Sequence, residues 1–285
     1  MSDSNNKSRA VLISGGGRGI GRGLARFFLT KGHRVFLLDI DSTELDHTTN
    51  VHLKQHAPRV GSAICDLRNV DDIRDKVKQA AGFFGGRIDV LINNGGTHAR
   101  PTRTRRIATP QWKDGKTMAD PATLDEWRAY VDTNLTAPFA LSQAALPFMA
   151  CDNAHDARHV SGPGPCIVLI GSFRAHQSDP NQEGYAATKA GLLGLAHSMA
   201  VSCGPWGIRV NLVAPGRVKV AHESREGDEK GTRWEDMLEE KDVEQHPANR
   251  AGMPEDIAQA VDYLIEAGFV TGQEITVDGG ALKQK

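Results

Sequence analysis

Cysteine is scarce in this 285-residue chain: four residues, Cys65, Cys151, Cys166 and Cys203, all far apart. No Cys-x-x-Cys spacing occurs, so neither a disulfide framework nor a zinc site is indicated, and buried thiols in a reducing compartment are expected. Long apolar runs are absent as well. Nothing approaches the ~18–20 residues that cross a bilayer. Met1 to Ser8 is polar and lacks the apolar h-region of a secretory signal. Net charge is nearly missing too: 34 Lys+Arg against 35 Asp+Glu give −1. A broad electrostatic footprint for nucleic acid is therefore not expected. These absences predict a cytoplasmic protein with no membrane or nucleic-acid partner and no metal.

Glycine is abundant, at 30 residues, about a tenth of the chain against an average near 7%. Hydrophobic residues make up 39%, enough for a core. Short apolar runs read as buried strands at Ala10–Ser14, His33–Leu38, Val60–Ile64, Ile88–Ile92, Cys166–Ile170, Arg209–Ala214 and Gln273–Val277. Helical patterns lie between them. These are Ile20–Thr30, a segment capped by Asn69 and running to Phe83, Thr123–Met149, Tyr185–Val201, and a helix opening at Pro254. Thr123 and Glu126 have capping-box spacing. Strands alternating with helices predict a doubly wound parallel sheet, a three-layer α/β/α Rossmann-like fold. With no repeat or linker, the reading is one catalytic domain over 9–285 behind a polar tail at 1–8.

Three stretches break the alternation. Residues 98–121 carry six basic residues, among them Arg100, Arg103, Arg105 and Arg106. Residues 152–165 are rich in Gly, Pro and His. Residues 223–244 hold ten acids and four bases. The first and third follow strand ends, where open α/β sheets bind ligands. Substrate loops are expected at 98–121 and 217–250. The basic group either reads an acidic substrate, pairs with the acidic segment, or is solvated.

The first strand is followed by Ser14-Gly15-Gly16-Gly17-Arg18-Gly19-Ile20-Gly21. Glycines let a backbone turn sharply and approach a pyrophosphate, and the following helix N-terminus attracts the phosphates. The loop ends in Gly19-Ile20-Gly21 rather than Gly-Lys-Ser/Thr, which excludes a Walker loop here. The spacing Gly15-x-x-x-Gly19-x-Gly21 also differs from Gly-x-Gly-x-x-Gly. Asp39 closes the second strand, where a carboxylate accepts both hydroxyls of an adenosine ribose and repels a 2′-phosphate. NAD is therefore expected over NADP, although Arg18 favours a 2′-phosphate.

These glycines, together with Tyr185-Ala-Ala-Thr-Lys189, resemble the short-chain dehydrogenase/reductase family. The resemblance runs from about Arg9 to Gly280. Asp66 resembles the residue that contacts the adenine amine, with Leu67 beside it. Asn93-Asn94-Gly95-Gly96 resembles Asn-Asn-Ala-Gly, with Gly95 in place of Ala. Asn134 resembles the helix asparagine of the catalytic tetrad. Ser172 stands at the family spacing, 13 residues before Tyr185. Pro215-Gly216 and Val277-Asp-Gly-Gly280 match later segments. Ser14 stands where the family usually has Thr. The Thr that often follows Pro-Gly is missing, leaving the Val218 backbone to contact the carboxamide.

The resemblance implies a tetrad of Asn134, Ser172, Tyr185 and Lys189. It also implies a cofactor site of Gly15, Gly17, Arg18, Gly19, Ile20, Gly21, Asp39, Asp66, Leu67, Asn93, Gly95, Pro215, Gly216 and Val218, completed by Tyr185 and Lys189. The chemistry follows separately. Oxidising a carbinol by hydride transfer needs a base for the hydroxyl proton. A tyrosine pKa near 10 is too high, and an ammonium one helical turn away is expected to lower it. Arg174, His176 and Gln177 follow Ser172 and suggest a polar oxygenated substrate. The implied activity is NAD(H)-dependent interconversion of a secondary alcohol and a ketone. The same scaffold also serves epimerisation, dehydration or non-catalytic dinucleotide sensing. A homodimer or homotetramer is implied by the resemblance.

Overall fold

Seven apolar strands form one all-parallel sheet in the order β3-β2-β1-β4-β5-β6-β7. They are β1 (Ala10–Ser14), β2 (Arg34–Asp39), β3 (Val60–Ile64), β4 (Val90–Asn93), β5 (Cys166–Ile170), β6 (Arg209–Pro215) and β7 (Glu274–Val277). The computed structural model describes residues 8–96, 112–149 and 162–284. Every residue of β1, β4, β5 and β6 is buried. Covered on both faces, these strands read as continuous apolar runs rather than alternating ones.

Alternate strand residues feed two cores. Leu12, Phe36, Leu91 and Leu169 pack against α3 (Val70–Phe84), α5 (Ala137–Met149) and α6 (Glu183–Ser202). Val11, Ile13, Leu37 and Val168 pack against α1 (Gly19–Thr30) and α9 (Pro254–Glu266). Asn69 caps α3, its side chain accepting from the Asp71 and Asp72 amides, and Gly85 ends it in a left-handed conformation, both as sequence chemistry dictates. Arg209, buried at the start of β6, donates to the carbonyls of Leu264, Ile265, Ala267 and Val270. A cation thereby satisfies the C-terminal end of α9.

The helix expected over Thr123–Met149 is interrupted. It forms α4 (Thr123–Val131), a π turn at Asp132–Thr136, and α5. The capping box is not made. The Thr123 hydroxyl donates to the Asp120 carbonyl at 2.8 Å, while Glu126 accepts from the Lys113 amide and Lys116 Nζ. Short helices α2 (Ser42–His47), α7 (Arg225–Lys230) and α8 (Glu240–Glu244) have no counterpart in the sequence reading. Cys65, Cys166 and Cys203 are buried free thiols.

The acidic segment after β6 is fixed to α1. Arg22, 1% exposed, donates through Nε to Glu223 at 2.7 Å. It donates in a fork to Asp228, at 2.8 and 2.7 Å, and to the His222 carbonyl. Arg26 pairs with Glu223 and with Glu255 of α9. Burial alone would raise the Glu223 carboxyl, but Arg26 and Arg22 outweigh it and hold it below the usual range. Asp228 is held low by Arg22 and His47 against the same burial effect. Carboxyls with depressed folded-state values stabilise the fold above their ordinary pKa, and that contribution disappears as pH falls through the depressed values. Arg22→Met leaves buried Glu223 with Arg26 as its remaining cation and Asp228 with His47, and is expected to cost up to about 3 kcal/mol at pH 7. Denaturant melts at pH 7 and at pH 4 or below should show the deficit shrinking as the carboxyls protonate. A deficit independent of pH would contradict this account.

Candidate active site

The strand order reverses between β1 and β4, and the glycine turn and the Asn93–Gly96 segment leave the carboxyl ends of these two strands. The turn after β1 lies against the end of β4. Gly15 has φ +65°, and a Cβ there would stand 2.7 Å from Gly95 Cα. A Cβ on Gly21 would meet the Gly15 carbonyl at 2.0 Å. Both positions therefore require glycine. Asn94 clamps the turn, its Nδ2 donating to the Ser14 and Gly15 carbonyls at 3.2 and 2.9 Å. The Ser14 hydroxyl accepts from the Gly95 amide at 3.0 Å. The sequence reading gave Asn94 and Ser14 no role, although both lie inside the quoted motifs.

Arg18, the residue before α1, is exposed and supplies no side-chain cap. The Gly17 amide donates to Asp39 Oδ2 at 2.9 Å, and the Asp41 amide to Oδ1 at 3.0 Å. A carboxylate has about four acceptor positions, so Asp39 keeps room for ribose hydroxyls. Asp66 accepts from the Arg68 amide, whose hydrogen bond outweighs burial and lowers its carboxyl. Leu67 packs where a Gly95 Cβ would lie, its Cδ1 2.5 Å from that point. Asn93 donates to Ser142 Oγ at 3.2 Å. After β6, the Gly216 amide donates to the Val277 carbonyl, and Val218 forms an isolated parallel bridge with Gly252. Val220 reaches within 3.8 Å of the Gly19 Cβ position, and the Gly19 amide donates to the Glu223 carbonyl at 2.7 Å. The chain after β6 thus lies against the glycine turn. A glycine cradle that a Cβ would fill, a helix start without a side-chain cap and a strand-end carboxylate together fit a dinucleotide.

The four tetrad candidates converge. Ser172 follows β5 and is buried; its Oγ accepts from the Arg174 amide at 3.2 Å and hydrogen-bonds the Tyr185 hydroxyl. Tyr185 lies in the first turn of α6. Lys189, one turn on, holds its Nζ 5.6 Å from the Tyr185 ring centroid and donates to the Ile170 carbonyl at 2.9 Å. Asn134 occupies the π turn and donates to Thr188 Oγ1 at 3.4 Å. A Cβ on Gly96 would stand 3.2 Å from Asn134 Oδ1 and 3.9 Å from Lys189 Nζ, so β4, the π turn and α6 meet there. Inserting one residue into a helical turn re-aims a side chain, a common device at functional sites.

The electrostatics differ from the sequence expectation in one respect. Burial pushes the Tyr185 phenol up, and the Ser172 hydrogen bond and the Arg174 charge offset this only in part. Lys189 does not bring it down. Burial instead lowers Lys189 to about 8, its ammonium meeting the neutral Ile170 carbonyl.

The residues after Ser172 divide. Arg174 ion-pairs with Asp179 and stacks on Phe173 at 4.7 Å. His176 is exposed and paired with Glu274 of β7 at 2.8 Å. Gln177 is exposed, its amide bonded to the Phe173 carbonyl. Arg100, Arg103, Arg105 and Arg106 lie outside the described residues, as do 1–7 and 150–161. Among the described residues there is no metal-binding cluster and no helix long and apolar enough to cross a membrane.

The family model described as enoyl-(acyl carrier protein) reductase matches residues 15–281. The chain belongs to the short-chain dehydrogenase/reductase family. It is an oxidoreductase of that family. It is 31% identical to an uncharacterised oxidoreductase of Thermotoga maritima, over 96% of both chains. It is also 31% identical to the (2S)-[(R)-hydroxy(phenyl)methyl]succinyl-CoA dehydrogenase subunit BbsD of Thauera aromatica, again over 96% of each. Among solved structures, a 7α-hydroxysteroid dehydrogenase complexed with NADH and 7-oxoglycochenodeoxycholic acid superposes with a TM-score of 0.76. That pair shares 28% identity and covers 98% of each chain.

Lys189 is expected to titrate with a midpoint of about 8 in the cofactor-free protein. Amine-selective labelling rates, or NMR of labelled lysine across pH 6–11, check this. A midpoint near the ordinary lysine value of about 10.4 would contradict it.

Proposed function

We propose that this protein is an NAD(H)-dependent oxidoreductase interconverting a secondary alcohol and a ketone on a polar small molecule. The observation that carries the reading is the convergence of Ser172, Tyr185, Lys189 and Asn134 beside the glycine turn. We read residues 9–285 as one catalytic domain, cytoplasmic, acting as a homodimer or homotetramer on a small-molecule substrate.

The dinucleotide, when bound, supplies the hydride acceptor or donor. Gly15, Gly17, Arg18, Gly19, Ile20 and Gly21 would hold its pyrophosphate end, and Asp39 the adenosine ribose. Asp66 and Leu67 would border the adenine, and Asn93, Gly95, Pro215, Gly216 and Val218 the nicotinamide half. In the oxidative direction Tyr185 removes the hydroxyl proton and Ser172 fixes the substrate oxygen. In the reductive direction the neutral phenol, favoured by burial, delivers that proton. The Lys189 ammonium would bind the ribose hydroxyls. Asn134 holds a water that links Lys189 to solvent.

Two variants test this reading. Tyr185→Phe is expected to lower kcat by about 10²–10⁴-fold while calorimetry shows NAD binding retained; near-full activity would refute the mechanism. Asp39→Ser removes a charge from the position a 2′-phosphate would occupy. The NADP-to-NAD ratio of kcat/KM should rise by about 10-fold or more. No change would move cofactor choice away from Asp39.

A further inference from the structure

The helix that presents Tyr185 begins without a side-chain cap. Gln182 stands before α6, and its side chain makes no bond to the first-turn amides. Tyr185 is the third residue of that helix, so the proposed proton carrier sits on a turn whose amides lack an intrahelical partner. The turn is held instead by packing. Gly184, one residue earlier, is buried. A Cβ there would stand 2.7 Å from Tyr130 Cδ2 and 2.8 Å from Trp112 Cη2. The missing side chain lets two aromatic rings lie on the helix start. Tyr130 and Trp112 are themselves 4% and 6% exposed, so neither ring has free space to retreat into. They meet edge-on at 5.9 Å, and Tyr130 meets the Tyr185 ring edge-on at 6.3 Å, both within the range of favourable aromatic pairs. The Trp112 amide adds a bond to the Asn181 carbonyl at 3.1 Å, just ahead of the helix.

Spacing on the two facing segments brings this about. Tyr130 and Asn134 are four residues apart, as are Gly184 and Thr188. Tyr130 packs on Gly184, and Asn134 donates to Thr188 Oγ1. The segments therefore touch at matching turns. Tyr130 reaches Tyr185 from the same stretch of chain that carries Asn134. The Tyr185 ring thus has the Tyr130 ring beside it, Lys189 Nζ 5.6 Å from its centroid, and its hydroxyl on Ser172.

We propose that Tyr130 is a positioning residue for the Tyr185 ring, held in place by Trp112 and by the missing side chain of Gly184. This rests on Tyr185 as the proton carrier and adds what fixes that carrier. The contribution is to where the phenol oxygen stands when the proton moves, and a displacement of about 1 Å is enough to cost rate.

The test compares Tyr130→Leu, Tyr130→Phe, Gly184→Ala and the double variant Gly184→Ala/Tyr130→Leu in the full-length protein. Turnover is followed with NAD⁺ and cyclohexanol as the probe alcohol, and NAD⁺ binding by calorimetry. Tyr185 ring flips are followed by NMR of protein carrying ring-labelled tyrosine. The chain has three tyrosines, and the Tyr185 signal is the one lost in Tyr185→Phe. Tyr130→Leu should lower kcat by about 10-fold or more. It should speed the flips by about 3- to 10-fold, the rate equivalent of one edge-on pair. KM and the NAD⁺ Kd should stay within about twofold, since only transition-state alignment is lost. Tyr130→Phe keeps the ring and should restore both readouts. Gly184→Ala displaces the ring and should mimic its loss. The double variant should be no slower than Tyr130→Leu, because both changes act through one ring. An unchanged flip rate in Tyr130→Leu, a Tyr130→Phe protein as impaired as Tyr130→Leu, or multiplied losses in the double variant would each overturn the proposal. If Tyr130→Leu does not fold, Gly184→Ala decides, and wild-type flips there would overturn it. The flip rates decide even where cyclohexanol is not turned over. Faster flips in a protein whose Tyr185→Phe form keeps its turnover would sink the alcohol–ketone reading alone. Tyr185-dependent turnover with unaltered flips would sink this inference alone.

Discussion

The site depends on a backbone contact at the centre of the sheet. β1 and β4 are neighbours, so the turn leaving one meets the chain leaving the other. At that meeting Gly15 and Gly95 stand so close that a Cβ on the first would clash with the backbone of the second. Asn94 and Ser14 convert the approach into three hydrogen bonds. The glycine turn is therefore held by the same segment that leads, through Gly96, to Asn134 and Lys189. One contact fixes the glycine turn relative to Asn134 and Lys189, the kind of preorganisation that catalysis by orientation requires.

A second tie holds the outer wall of the site. The chain leaves β6 at Pro215 and Gly216 and runs on until Glu223 and Asp228 reach Arg22 on α1. Burying a guanidinium with two carboxylates involves large opposing energies. Desolvation is costly, and only close, forked geometry offsets it. The network supplies that geometry and places the Glu223 carbonyl on the Gly19 amide. The acidic segment, which composition alone leaves open to several partners, is thereby anchored beside the glycine turn. Its near-neutral sum with the rest of the chain conceals this local pairing.

Much of this was legible in the residues. The glycine spacing, Asp39 at a strand end and Tyr185 with Lys189 one turn apart are local patterns, and local patterns survive folding. The π turn was not legible. Asp132–Thr136 carries one apolar residue, Leu135, and one extra residue in a turn leaves no mark in so sparse a pattern. Arg22 was equally silent, since its partners are some 200 positions away in sequence. The Thr123–Glu126 capping box failed because Lys113 and Lys116, from a preceding loop, compete for the Glu126 carboxylate. The raised Tyr185 phenol was illegible for a related reason. Helical spacing shows that an ammonium is near, whereas burial, which raises the phenol and lowers the amine together, is a property of the whole fold.

In the function we propose, these features form a preformed centre: Tyr185 as proton carrier, Ser172 to position oxygen, and Lys189 beside the glycine turn. The central claim is that hydride leaves the substrate carbon for the nicotinamide while the hydroxyl proton leaves by Tyr185. Its most direct test is the fate of deuterium placed on the carbinol carbon of a turned-over alcohol. Mass spectrometry should find the label on the reduced nicotinamide, one deuterium per ketone formed. Label appearing in solvent water instead, with no reduced cofactor accumulating, would contradict the account.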